Sequence, residues 1–219
     1  MQQDTAIKCH DTDSPDTAVK VWHWLLAGAI TFSYATAELG YEWLYWHIHS
    51  GILILSLLVF RLYWGLTGPA NSRFQLTVPG LLRQNKARKR ATHSNIAAIV
   101  LLCLVLAQAI SGLFSVDDVI DITGPFYSLA SQPFNEAMTA YHHDLSIALI
   151  WMIVLHLAAI SFYFFLLDKD LLSPMLCRKH ERLDNKYVTD LITAIFLAIT
   201  MFTGIESGIF VHLLQQVSI

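Results

Sequence analysis

The stretch HHDLSIALIWMIVLH, residues 142–156, places histidines at both ends of an apolar run. His142 and His156 are 14 residues apart. Because an α-helix has about 3.6 residues per turn, 14 residues make close to four turns, and both imidazoles leave the same helix face. They would lie about 21 Å apart along the axis. The stretch therefore predicts one helix with a histidine at each of two depths, and it turns His143 off that face.

The composition indicates whether such a helix lies in a soluble domain or in a membrane. The chain has 219 residues, of which 55% are hydrophobic and 14% charged. Soluble domains carry about 25% charged residues. A deficit of this size is typical of proteins that contact lipid, so the composition predicts a membrane protein before any motif is considered.

Five apolar stretches are long enough to cross a bilayer, which takes about 20 helical residues. They are residues 18–38, 44–66, 93–114, 142–167 and 188–214. Lipid offers no partner for backbone polar groups, so each stretch is expected to be helical. We predict an all-α membrane protein with a four-helix transmembrane bundle and a fifth, C-terminal transmembrane helix. The spacing of Gly204 and Gly208 in the fifth stretch predicts close helix packing.

Loop charges predict the orientation of these helices. The connections after the second and fourth stretches contain the basic residues Arg73, Arg83, Lys86, Arg88, Lys89, Arg90, Lys169, Arg178, Lys179, Arg182 and Lys186. The connections near 39–43 and 115–141 contain acidic residues and no base. The positive-inside rule then places the N-terminal segment, residues 1–17, in the cytoplasm and the C-terminus outside. Because the basic residues flank the membrane spans, we expect no nucleic-acid partner.

The orientation supplies a partner for each histidine of the fourth stretch. The first stretch begins inside, which puts His23 at the depth of His156. The second stretch begins outside, which puts His47 or His49 at the depth of His142. Ionisable side chains at membrane depth are costly and indicate a functional site. The sequence therefore predicts two histidine pairs inside a helical bundle, the usual place for a bundle's cofactor.

Paired imidazoles at two depths are typical of haem iron held by two axial ligands. The cysteines Cys9, Cys103 and Cys177 form no C-x-x-C-H motif of covalent attachment. We therefore predict two haem b groups. Arg61, 14 residues after His47, would pair with a haem propionate through its planar fork. Alternatively, Arg61 extends to the cytoplasmic headgroups.

Several motifs carry a resemblance to a known family. They are Val21-Trp22-His23-Trp24, His47-Ile48-His49-Ser50-Gly51, Arg61-Leu62-Tyr63-Trp64-Gly65, Gly68-Pro69-Ala70-Asn71-Ser72-Arg73-Phe74, the stretch 142–156, and Leu171-Leu172-Ser173-Pro174-Met175-Leu176-Cys177-Arg178-Lys179. Together they resemble the bacterial cytochrome b561 family, which shares its fold with the cytochrome b subunit of nickel–iron hydrogenases. The resemblance favours His47 over His49, because in the family motif a glycine follows the ligand by four residues.

The resemblance implies a dihaem core over residues 18–180, with residues 181–219 as an additional transmembrane helix and C-terminus. It implies electron transfer between the quinone pool and a periplasmic partner, either a cytochrome c or a hydrogenase-like redox protein. Quinone is then a second candidate cofactor, and the expected location is the bacterial inner (plasma) membrane. The sequence leaves open whether the chain forms a homo-oligomer and whether it is itself an enzyme.

Two other functions fit parts of the pattern. One is a stand-alone superoxide or quinol oxidoreductase that uses the same haems. The other belongs to a different class: a proton- or metal-coupled membrane transporter whose histidines relay protons or bind metal. Visible absorbance separates the two classes, because a purified dihaem cytochrome is red and the transporter is colourless.

Overall fold

The structure is a computed structural model that describes residues 16–69, 72–74, 86–117, 122–168, 172–176 and 185–217, without the side chains of 86–97, 173–174 and 217. Its helices are α1 (Thr17–Glu38), α2 (Leu44–Thr67), α3 (Lys86–Phe114), α4 (Gln132–Leu167), α5 (Ser173–Leu176), α6 (Asn185–Glu206) and α7 (Ile209–Val217). Two short strands, β1 (Val116–Asp117) and β2 (Ile122–Thr123), pair antiparallel between α3 and α4. The prediction of a helical protein is confirmed.

Several sequence predictions concern residues outside this description. The residues concerned are the N-terminal segment up to residue 15, the basic residues Arg83, Lys169, Arg178, Lys179 and Arg182, the acidic residues Asp118 and Asp121 of the predicted 115–141 connection, and Cys9 and Cys177. The side chains of Lys86, Arg88, Lys89 and Arg90 also lie outside this description. Cys103 is described, and it is free and exposed.

Length and apolar composition qualify three described helical segments as membrane spans: Tyr41–Thr67, Gln132–Leu167 and Asn185–Glu206. Ala98–Phe114 is a shorter apolar helix. The 22-residue α1 matches the predicted first stretch closely. Helices long enough and apolar enough to cross a membrane are therefore confirmed, whereas the count of four spans plus one stays a prediction.

The fifth predicted stretch is not one continuous helix. α6 ends at Glu206, and Gly208 adopts a backbone φ of +68° before α7 begins. A Cβ on Gly204 would lie 2.4 Å from the Phe210 ring, so the missing side chain lets α7 fold back against α6. The two glycines therefore do not share one continuous helix: Gly208 serves the turn, while Gly204 leaves room for close packing of Phe210 from α7.

The helix α2 is the centre of the bundle. It packs against α1, α3 and α6, while α4 packs mainly on α3. The main apolar core joins Leu26 of α1, Leu58 of α2, Val105 of α3, Leu149 of α4 and Ala194 of α6. Since α1 and α4 have almost no direct contact among the described residues, the bundle consists of an α1–α2 hairpin beside an α3–α4 hairpin.

The helices place the predicted loop types at opposite ends. At one end α1 and α6 begin and α2 stops, since Lys186 Nζ donates to the Thr67 carbonyl at 3.3 Å. Trp24 Nε1 reaches the carbonyl of Met175, beyond α4, on the same side. We call this the basic end, because the predicted basic connections leave from it. The opposite end, with Tyr41–Trp43 and residues 115–117 and 122–131, is the acidic end.

At the basic end, the buried carboxylate of Asp16 connects α1 with α2. Asp16 Oδ1 caps α1 by accepting the Val19 N–H at 2.8 Å, and Oδ2 accepts the indole N–H of Trp64 at 2.8 Å. The Asp16 N–H donates to Ser72 Oγ at 3.2 Å. Both Asp16 and Trp64 are almost fully buried. One carboxylate thus joins the start of α1 to the end of α2.

Replacing Asp16 by asparagine should destabilise the protein, because both carboxylate oxygens accept hydrogen bonds and asparagine retains one acceptor. An unsatisfied buried donor costs about 1–3 kcal/mol. Thermal unfolding in detergent should show a lower midpoint for Asp16→Asn. The control is Asp190→Asn, which removes an ion pair to the exposed Lys186; such pairs contribute about 0–1 kcal/mol. Equal midpoints for the two variants would contradict the role of Asp16.

Candidate functional site

Two histidines from different hairpins meet at the acidic end. The rings of His47 on α2 and His142 on α4 are 6.0 Å apart between centroids and nearly perpendicular, at 80°. An imidazole nitrogen binds a first-row metal at about 2 Å. The centroids of two imidazole rings that bind one metal are separated by a distance similar to the 6.0 Å found here. We call His47 and His142 the acidic-end pair.

The backbone of α1 orients the His47 ring. His47 Nδ1 lies 2.9 Å from the carbonyl oxygen of Ser33 and 3.2 Å from Ser33 Oγ. A carbonyl oxygen only accepts hydrogen bonds, so Nδ1 carries the proton and donates. The neutral ring then keeps its lone pair on Nε2, which is the tautomer that a metal ligand needs.

The helix α3 orients the His142 ring in the same way. His142 Nδ1 lies 3.0 Å from the carbonyl oxygen of Gln108 and 3.2 Å from Ser111 Oγ. On the other side of the ring, the Gln108 side-chain amide nitrogen lies 3.2 Å from His142 Nε2. An amide nitrogen donates, so Nε2 bears the lone pair. Two independent contacts therefore assign the same tautomer to His142.

Gly112 makes room for the same ring. A Cβ at Gly112 would lie 2.9 Å from His142 Cε1 and 3.2 Å from Nδ1. No side chain other than hydrogen fits this space without moving the imidazole or the helix. Gly112 thus acts with the Gln108 carbonyl to fix the ring's position.

The other predicted pair lies toward the basic end. His23 of α1 is half-buried, and its Nδ1 is a buried nitrogen without a hydrogen-bond partner among the described residues. His156 of α4 is exposed and near enough to His23 for electrostatic interaction. We call His23 and His156 the basic-end pair. Buried polar atoms without partners are rare in proteins, so His23 Nδ1 is open to a bound group.

Arg61 presents a second unpartnered group near the basic end. Its guanidinium lies over the Phe74 ring at 4.3 Å and over the Trp22 ring at 5.6 Å. Its Nη1 is buried and has no hydrogen-bond partner in the described part of the chain. The Phe74 ring fits here because position 65 is glycine, where a Cβ would lie 2.0 Å from Phe74 Cε2. This donor suits a carboxylate, which an arginine fork binds well.

The histidines nearest to the acidic-end pair in the sequence, His49 and His143, lie in different surroundings. His49 Nδ1 donates to the Tyr45 carbonyl at 2.7 Å, and its Nε2 lies 2.9 Å from Glu206 Oε2 of α6. His143 is exposed on α4. The structure thus brings His47, and not His49, to His142.

The donor set fits haem better than a free metal ion. Among the described residues, no three histidine, cysteine or acidic side chains gather in a group that could hold a metal. A structural or catalytic zinc takes three or four protein ligands. Haem iron needs only axial ligands from the protein, because its macrocycle occupies the remaining positions. Two pairs of imidazoles, with the unpartnered arginine donor, meet that requirement.

These features define a class of protein: a helical protein with membrane-spanning segments that brings the imidazoles of His47 and His142 together from separate helices. A comparison with protein families narrows this class. The chain belongs to the prokaryotic cytochrome b561 family, whose model matches residues 15–177. No curated protein and no solved structure matches the chain. The protein is therefore a membrane-integral b-type cytochrome that binds haem b and transfers electrons.

The resemblance predicted from the motifs is confirmed by this match. The sequence did not reveal the residues that orient the rings, which are Ser33, Gln108, Ser111 and Gly112. The available signal was weak: serine and glutamine stand within apolar stretches, where polar side chains are uncommon. Only the three-dimensional contacts assign each of them to a histidine.

Replacing Gly112 by alanine should weaken haem binding, because the new Cβ would push against the His142 ring. Disturbing the residues that orient a ligand typically lowers metal affinity about 10-fold or more. The haem content of purified Gly112→Ala, measured as pyridine haemochrome per protein, should fall. Gly28→Ala is the matched control, since no heavy atom lies within 4 Å of a Cβ there. Full haem content in Gly112→Ala would show that the close contact is unimportant.

Proposed function

We propose that the chain holds two haem b groups, one between His47 and His142 and one between His23 and His156. The observation that carries the proposal is the approach of the His47 and His142 rings to 6.0 Å, with each Nδ1 directed to a backbone carbonyl. Each ring thus has its lone pair on Nε2, where iron would bind; at His142 the iron would replace the contact with the Gln108 amide nitrogen. The basic-end pair rests on the unpartnered His23 Nδ1 and on the 14-residue spacing along α4.

Bis-histidine ligation suits electron transfer. Bound haem supplies a one-electron ferric/ferrous couple, and two axial imidazoles leave no open coordination position for a substrate. The helix α4 contributes a ligand at each depth, separated by about 21 Å along its axis. With a haem held at each depth, the chain would provide a path for electrons from one end of the bundle to the other.

Arg61 would bind a propionate of the basic-end haem. Its buried Nη1 lacks a hydrogen-bond partner among the described residues, while the Phe74 and Trp22 rings lie 4.3 Å and 5.6 Å from the guanidinium carbon. A propionate carboxylate would satisfy this donor. The alternative, in which Arg61 extends to lipid headgroups, leaves the buried Nη1 unexplained.

The proposed route connects the quinone pool with a periplasmic redox partner, a cytochrome c or a hydrogenase-like protein. The proposed location is the bacterial inner membrane, with the N-terminus and the basic end in the cytoplasm. The four-helix core is residues 18–180, and residues 181–219 add the fifth helix. The chain then serves as the membrane subunit that carries electrons between quinone and partner.

The alternatives are weaker on specific grounds. A proton- or metal-coupled transporter does not explain membership of a cytochrome family, and the paired imidazoles offer a free metal too few ligands. A stand-alone superoxide or quinol oxidoreductase would use the same haems. Reduction by quinol with and without an added cytochrome c separates that enzyme from an electron-transfer subunit.

Single ligand substitutions should each remove one haem. His47→Ala and His142→Ala should lower the ratio from two haems per chain to one, and His23→Ala and His156→Ala should do the same for the other haem. The two groups of variants should retain haems with different midpoint potentials. Haem should be extractable into acidified organic solvent, since no C-x-x-C-H motif attaches it.

The matched controls are His49→Ala and His143→Ala, which remove neighbouring imidazoles and should keep both haems. A ratio of one haem per chain in the unchanged protein would contradict the dihaem proposal. Loss of haem from His143→Ala, with both haems kept in His142→Ala, would show that the ligand is the adjacent histidine.

Reporter fusions should confirm the proposed orientation. A reporter joined after residue 85 or after residue 180 should be cytoplasmic, because both sites lie in basic connections. A reporter joined near residue 125 or at the C-terminus should be on the outside. A cytoplasmic C-terminus would rule out five membrane spans with the N-terminus inside.

A further inference from the structure

A buried serine hydroxyl lies beside each ring of the acidic-end pair. Ser33 Oγ is 3.2 Å from His47 Nδ1, and Ser111 Oγ is 3.2 Å from His142 Nδ1. The serines are 8% and 3% exposed. Each stands on the helix that precedes the helix of its histidine. The same contact therefore occurs once in each hairpin of the bundle.

The direction of these hydrogen bonds follows from the neighbouring carbonyls. Nδ1 of His47 donates to the Ser33 carbonyl at 2.9 Å, and Nδ1 of His142 donates to the Gln108 carbonyl at 3.0 Å. Since the proton is on Nδ1, each serine oxygen is a second, longer acceptor for the same N–H. A hydroxyl oxygen has two lone pairs and can take this role.

We infer that Ser33 and Ser111 are positioning residues that set the redox potential of the haem at the acidic end. The inference rests on the proposed ligation of that haem by His47 and His142. Groups that accept a hydrogen bond from the distal nitrogen of a metal-bound imidazole fix its tautomer and raise its basicity. A more basic imidazole stabilises ferric over ferrous iron, so each hydrogen bond that a serine oxygen accepts from Nδ1 lowers the midpoint potential.

Ser33 gives the simpler test of the two. Ser111 Oγ also donates to the Gln108 carbonyl at 2.9 Å, the carbonyl that accepts the His142 N–H. Removing Ser111 therefore deletes one acceptor and makes the other stronger, and the two effects oppose each other. Ser33 Oγ contacts the His47 ring directly, while the hydroxyl that donates to the Ser33 carbonyl belongs to Thr36. Ser33→Ala should thus shift the potential more than Ser111→Ala.

The experiment is a spectroelectrochemical titration of the purified holoprotein in detergent. In Ser33→Ala the ferrous/ferric ratio of the acidic-end haem at a fixed ambient potential should rise about threefold, where tenfold corresponds to about 59 mV for one electron. The same haem should show altered g-values in the EPR spectrum of the oxidised protein. The other haem should keep its potential, and Ser33→Thr should restore the original values. The acidic-end haem is identified by its absence from His47→Ala.

The control variant is Ser50→Ala. Ser50 is also buried, and its Oγ donates to the backbone carbonyl of His47 at 2.8 Å, so it touches the ligand residue without touching its ring. Ser50→Ala should leave both midpoints unchanged. Ser33→Ala could instead lose the acidic-end haem, and Ser33→Thr recover it. The Ser33 hydroxyl would then hold the His47 ring in the position that binds haem, which supports its role as a positioning residue.

Three results would overturn the inference. They are an unchanged midpoint and unchanged g-values in Ser33→Ala with both haems bound, an equal shift in Ser50→Ala, and haem loss that Ser33→Thr does not reverse. Failure of the proposed ligation looks different. It would appear as one haem per chain in the unchanged protein, or as two haems retained in His47→Ala.

Discussion

Polar groups buried at membrane depth must find partners inside the protein, and the imidazoles of His47 and His142 find theirs on backbone carbonyls of the preceding helices. A helical carbonyl has a second lone pair, so it can accept a side-chain N–H without giving up its place in the helix. Each helical hairpin thereby orients its own ligand. The α1–α2 hairpin presents His47, the α3–α4 hairpin presents His142, and a shared haem iron would join the two.

Different interactions hold the site residues in place at the two ends of the bundle. At the acidic end, neutral hydrogen bonds and the absence of a Cβ at Gly112 fix the two rings. At the basic end, the Asp16 carboxylate joins α1 to α2, and Phe74 packs on Gly65 beneath the guanidinium of Arg61. The Arg-Leu-Tyr-Trp-Gly motif and the later Arg-Phe element thus form one structural unit. That unit holds the half-buried guanidinium of Arg61, whose Nη1 has no hydrogen-bond partner among the described residues.

Much of the fold follows from one-dimensional patterns, because apolar length and helical periodicity are local properties. The predicted stretches lie within α1 to α4 and the α6–α7 region, but α4 begins at Gln132, ten residues before the predicted stretch and inside the predicted 115–141 connection. The 14-residue spacing places His142 and His156 on one face of α4. The break at Gly208 was missed, since a glycine pair at this spacing fits a packed helix as well as a turn. Ser33 and Gln108 were missed for another reason. Their roles depend on contacts between helices, which no spacing along the chain encodes.

The central claim is that two histidine pairs ligate two haem irons. Near-infrared magnetic circular dichroism of the oxidised protein tests it most directly, because the energy of the charge-transfer band identifies the axial ligands of low-spin ferric haem. The unchanged protein should show bis-imidazole ligation at both irons. His142→Met should convert one of the two to histidine–methionine ligation and leave the other as it was. Any ligand other than imidazole in the unchanged protein, or a His142→Met spectrum identical to it, would contradict the claim.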